Sequence, residues 1–298
     1  MSWSNHNVDL LFDGMKSIFT APYVIITYYG WYGVPVFLFL SGFGLAAKYG
    51  SRELSKVDFV KKHILKLFWL MIPGYVIFLS LHIFAYGIEY PFSLIVKQCT
   101  FTANILAKAM NPGVYWFFGL MAQFYLIFLL IRKWDRKKLV VFMVLGIVFD
   151  YLVLYLANKE QMIHIRHNSI GWFSSFLFGI ICGKSKDFKL NHIMMFLIPL
   201  LFVVSALVKS LHPFSPLLAI ASFLIVAKSV RSGMIKYVGV LSASLFAMHP
   251  LSRLIMNNSL CDLPLALKVV IYMLIAFVFA HFYSKLQKYI SAHLLNRV

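Results

Sequence analysis

Along this chain, apolar runs alternate with short clusters of basic residues. From Trp31 to Ala47 no side chain is charged; Lys48, Arg52, Lys56, Lys61, Lys62 and Lys66 then follow closely. Such a run is long enough, at 1.5 Å per residue, to cross the apolar part of a bilayer as a helix. The same pattern predicts further spans over 64–85, 113–131, 139–157, 168–183, 190–208, 213–227, 237–256 and 269–284, nine in all. Pro73-Gly74 predicts a kink in the second, and the small residues of Ser41-Gly42-Phe43-Gly44 predict a close helix neighbour for the first. Residues 86–112 read as a loop holding a short helical or re-entrant piece. Residues 1–30 read as an external or interfacial segment, a short amphipathic helix broken at Pro22.

Composition agrees with this division. Hydrophobic residues make up 61% and charged residues 13%, and mean hydropathy is +0.81. Soluble domains carry about 25% charged residues, so the expected class is all-α, a polytopic membrane helix bundle, read as one domain over 1–298. The net charge of +18 does not point to nucleic acid, because the basic residues lie between spans rather than on one face. They suit membrane lipids with anionic head groups. Twenty of the 28 basic residues fall in alternate loops, from the 48–66 cluster to Lys285, Lys288 and Arg297. The positive-inside rule makes that side, and the C-terminus, cytoplasmic. Nine spans then put Met1 outside, and the expectation is that one more span precedes it.

Several residues could carry chemistry. Asp150 sits within an apolar run, where a carboxylate costs about 2.5–3.5 kcal/mol on insertion scales, so it should face a partner or a wet cavity. Gln123 is a cheaper version of the same feature, suited to bonding a neighbouring helix. His249 and Arg253 share a helix face. They either line an opening at the membrane surface, or Arg253 snorkels to the interface while His249 bonds a neighbour. His82 and His281 read as helix-end residues. Lys62, His63 and Lys66 converge at the expected start of the second span, where cations and spare backbone N–H groups suit phosphates. No cluster has metal-ligand spacing, and of three cysteines Cys99 and Cys261 could pair. Trp31, Tyr32, Tyr115, Trp116 and Trp172 read as lipid-facing belt residues.

Five stretches in order resemble one family. GVPVFLFLSGFGL (33–45), FVKKHILKLFWLMIPGY (59–75), WFFGLMAQFYLIFLLI (116–131), FLFGIICG (176–183) and YVGVLSASLFAMHPL (237–251) look like successive span motifs of the acyltransferase-3 family of bacterial integral-membrane acyltransferases. The family's ten-span pattern would make these spans two to ten. The resemblance implies transfer of an acyl group, most simply acetyl, from acyl-CoA as co-substrate to a hydroxyl of a cell-surface glycan, at the bacterial inner membrane. It implies His6 as the catalytic histidine, with His249 as the alternative. Lys62, His63 and Lys66 would hold the donor, in place of the family's paired arginines. Ser41, Trp116 and Tyr125 fall in matched motifs and join Asp150, Gln123 and Arg253 as substrate-side or structural polar residues. No bound cofactor or metal is implied. A small-solute transporter or flippase, and a non-catalytic remnant of the family, are the other readings.

Overall fold

The computed structural model describes residues 5–18, 20–50, 52–106, 114–185, 192–229, 232–259, 263 and 265–295. It is 87% helical, with no strand among the described residues. In chain order the helices are α1 (Asn5–Met15), α2 (Ala21–Gly30), α3 (Gly33–Tyr49), α4 (Lys56–Ser80), α5 (Phe92–Cys99), α6 (Ala103–Leu106) and α7 (Trp116–Ile131). Then come α8 (Arg136–Leu156), α9 (Lys159–Arg166), α10 (Phe173–Lys184), α11 (His192–Leu207), α12 (Ser215–Ser229), α13 (Gly233–Ser259) and α14 (Leu265–Ile290). Among the described residues, six helical segments are long and apolar enough to cross a membrane, and α7, α10 and α11 are shorter apolar helices. Each of the nine falls on one of the stretches expected from the sequence.

Two boundaries differ from expectation. Pro22 does not break a helix; it occupies the first turn of α2, where its missing N–H has no helical acceptor to lose. Trp31 and Tyr32 stay in right-handed helical geometry, so α2 and α3 form one apolar segment over Ala21–Tyr49. The first span therefore begins ten residues before Trp31. α4 in turn begins at Lys56, with the Ser55 hydroxyl accepting from the Asp58 N–H at 3.3 Å. Its spare N–H groups lie in the 56–59 turn, so Lys62, His63 and Lys66 sit further along the helix and have no such groups to offer a phosphate.

The chain forms two compact units, and the division between them falls within α7. The first comprises residues 1–54 and 126–231. Its tightest pair is α3 with α10. A Cβ on Gly42 would collide with the Phe176 carbonyl, one on Gly179 with the Phe39 carbonyl, and one on Gly183 would lie 2.6 Å from the Phe43 carbonyl. Small residues thus let the two backbones touch, where larger ones would hold them apart. α8 joins α10 at Gly146, and Leu11, Tyr28, Tyr32, Ala206 and Ala219 form a buried cluster.

The second unit comprises residues 55–125 and 232–298. Tyr75, Tyr115 and Phe118 are fully buried in it. Buried amides secure the start of α7: Gln98 Nε2 donates to the Tyr115 carbonyl at 2.9 Å and Asn104 Nδ2 to that of Trp116 at 2.7 Å. Tyr32, Tyr115, Trp116 and Trp172 are all buried, which corrects the belt reading. Their polar tips explain why: Tyr115 donates to the Ala247 carbonyl and Trp172 Nε1 to the Arg166 carbonyl, so these rings bind protein at both ends.

Candidate functional site

In the first unit, one end of the helices forms a small, partly open cleft. Trp31 and Tyr32 enter it from the start of α3, and Asp150, Val153 and Leu154 from the last two turns of α8. Arg166 closes α9, Trp172 precedes α10, and His212, Pro213 and Pro216 come from the turn before α12 and its first residues. The Asn158–Gln161 capping box starts α9, and Trp172 Nε1 bonds the Arg166 carbonyl at 2.6 Å, so the short segment carrying Arg166 is held at both ends.

Hydrogen-bond chemistry fixes the direction of the network there. A guanidinium can only donate, so Arg166 Nη2, 3.4 Å from His212 Nε2, makes that nitrogen the acceptor. His212 then carries its proton on Nδ1, 3.4 Å from Ser215 Oγ. Ser215 Oγ accepts from the Tyr32 hydroxyl at 3.0 Å and donates to the His212 carbonyl at 2.6 Å. His212 is thus a neutral imidazole whose lone pair is already engaged; it positions Arg166 and is no free base. Arg166 Nη1 is buried with no hydrogen-bond partner among the described residues. Burial lowers the guanidinium pKa to about 10, opposed by the nearby Asp150 and Tyr32, so the group stays charged at neutral pH. No ion pair of 4 Å or less joins Asp150 and Arg166 among the described residues.

In the second unit, Pro250 interrupts α13 and deprives the Phe246 carbonyl of its helical donor. His249 Nδ1 replaces that donor at 2.9 Å, with the Leu245 carbonyl at 3.3 Å. A carbonyl only accepts, so Nδ1 carries the proton and the neutral ring offers Nε2 as a base. His63 does the same with the Phe59 carbonyl at 2.9 Å, and its ring stacks on Phe59 and meets Tyr125 edge-on at 5.1 Å.

Of the residues singled out from the sequence, Asp150 lines the cleft, and His63 and Tyr125 touch. Lys62, Lys66 and Arg253 are exposed. Ser41 bonds back to the Phe37 carbonyl at 2.8 Å within its own helix, and Trp116 is buried. Gln123 is partly buried in α7. His6 lies in α1, with its side chain outside the described residues, and Cys261 lies outside them altogether. Arg166, His212 and Ser215 escaped sequence reasoning, and Tyr32 was read there as a belt residue. Asp150 was a partial signal, because a carboxylate in an apolar run calls for a cation, but the nearest one along the chain after the span is Lys159, so the sequence did not single out Arg166.

A family model described as an acyltransferase domain matches residues 6–284. No curated protein and no solved structure matches the chain.

Proposed function

The chain belongs to the acyltransferase-3 family, as an integral membrane protein, and from that premise we propose that it moves an acyl group, acetyl in the simplest case, from acyl-CoA to a hydroxyl of an envelope glycan. The observation that carries this reading is the family match over almost the whole chain. In the reaction, an acceptor hydroxyl oxygen attacks the thioester carbonyl carbon while a base removes its proton. The C–S bond then breaks and the thiolate takes up a proton, leaving an ester and free CoA. Two imidazoles are candidates for the base: His6 from the resemblance, and His249 from the bond that leaves its Nε2 as the acceptor. Phosphate recognition falls to Lys62, His63 and Lys66, with lysine acting as a point charge without the fork of arginine. The basic loops face the cytoplasm, where acyl-CoA is, and the membrane is the bacterial inner membrane.

The test is acyl transfer from labelled acetyl-CoA by the full chain in membranes, for His6→Ala and His249→Ala. Loss of a general base lowers the rate by about 10²–10⁴-fold. The variant showing that loss at unchanged abundance identifies the base, and wild-type rates in both would remove the two histidines from the mechanism. Lys62→Gln with Lys66→Gln raises KM for the donor more than for the acceptor. An unchanged donor KM at low salt makes the cluster a lipid anchor.

A further inference from the structure

The cleft of the first unit has a composition that specifies a ligand. One donor, Arg166 Nη1, is buried without a partner among the described residues, while Nη2 lies 3.4 Å from His212 Nε2. A buried unpaired donor is expensive, and a ligand oxygen would relieve it. Asp150 lines the same cleft and supplies an acceptor of opposite formal charge. When ionised it repels a carboxylate or phosphate, and in either protonation state it can bond a hydroxyl. The remaining walls are flat or apolar: Trp31 and Trp172, with ring centroids 6.4 Å apart, together with Pro213 and Pro216. Aromatic faces beside a few placed donors and acceptors suit a ring that is apolar on its faces and hydroxylated at its rim.

We propose that this cleft binds an uncharged, polyhydroxylated ring, the sugar unit of the acceptor, with Arg166 and Asp150 reading its hydroxyls and His212 positioning Arg166. The proposal rests on the acyltransferase reading for the word acceptor, but not for the binding itself. The cleft's place at the less basic end of its helices agrees with a ligand arriving from outside. Tyr32 directly precedes α3 and Lys48 lies in its last turn; α8 starts at Arg136 and reaches Asp150 in its second half; Trp172 directly precedes α10, which ends at Lys184; and α12 starts at Ser215 with Lys228 in its last turn. All four therefore put their terminal lysines or arginines away from the cleft.

The experiment uses the full chain in nanodiscs and follows tryptophan fluorescence. The probes are the methyl glycosides of glucose, galactose, mannose and N-acetylglucosamine, with methyl glucuronate ion and inorganic phosphate as charged controls. At least one neutral glycoside quenches saturably and binds tighter than both controls. Arg166→Gln and Asp150→Asn each weaken it roughly tenfold or more, the loss expected when a buried polar group is left unpaired. Thermal midpoints are recorded for both variants, and the isosteric Asp150→Asn decides the matter if Arg166→Gln does not fold. Absence of saturable quenching by any neutral glycoside, tighter binding of either anion, or binding indifferent to the folded variants would overturn the proposal. Transfer from acetyl-CoA is assayed on the same preparations. Glycoside binding without any transfer sinks the acyltransferase reading alone, and transfer without glycoside binding sinks the cleft alone.

Discussion

His167 follows Arg166 in the turn after α9, its backbone N–H shared between the carbonyls of Ile163 and His164. Burial first, and the neighbouring His164 second, push its imidazole down to about 4 from an ordinary 6.5. The unfolded chain therefore takes up a proton before the folded one does. Stability from keeping this ring neutral is fully present above pH 6.5 and is lost as pH falls towards about 4. The thermal midpoint of the detergent-solubilised protein is expected to fall across that window, and His167→Gln should flatten the fall. Equal slopes for wild type and variant would show that other groups set the acid limit. The residue matters beyond itself, because it adjoins the segment that places Arg166 in the cleft.

Among the helices, prolines recur inside apolar spans, and a bilayer supplies no water for the carbonyls they strand. Pro73 removes the N–H that would serve Trp69, and Gln287 Nε2 of α14 takes its place at 2.8 Å. Tyr283, one turn earlier, donates to the Leu70 carbonyl at 2.7 Å and lies 3.3 Å from the Gly74 N–H. The proline in α4 and the polar side of α14 are thus one device. Gln287→Leu should destabilise the protein by about 1 kcal/mol, within the range of interhelical hydrogen bonds in membranes. Pro73→Ala should make that loss small, because a backbone donor then serves Trp69. A double-mutant cycle on thermal unfolding checks this, and equal losses in both backgrounds would disprove the coupling. In α13 the same physics has a chemical consequence: Pro250 strands a carbonyl, and the histidine that answers it acquires a defined tautomer.

For the whole molecule, the spacing of basic clusters makes a prediction about orientation. Reporter fusions after Arg136, Lys186 and Arg231 are expected in the cytoplasm, and fusions near Ala103, Lys159 and Asn258 outside. Inversion at two or more sites would overturn the orientation and move the cleft to the cytoplasmic end. Under the expected orientation the cleft faces outwards, where an envelope glycan is found, and Lys62 and Lys66 face the compartment that holds acyl-CoA. On the proposed function, the acceptor ring would draw on Trp31, Tyr32 and residues between 150 and 216, and the donor phosphates on Lys62, His63 and Lys66.

The sequence by itself determined the helices, because crossing a bilayer demands long uncharged runs and leaves charge only between them. It also predicted a close helix neighbour for the first span from the small residues around Gly42, but only the structure shows that the neighbour is α10, which meets α3 at Gly179 and Gly183. Its family motifs carried the acyltransferase identity. Only the tertiary structure showed which aromatic residues are interior: Tyr115 and Trp116 have the same composition signal as belt residues, and burial depends on what packs across from them. Only it brought Arg166, His212 and Tyr32 to Asp150, over sequence separations far too long for any periodicity to register. Helix pattern is a local property of the chain. A cleft is made where distant helix ends meet, and no single stretch of sequence contains that meeting.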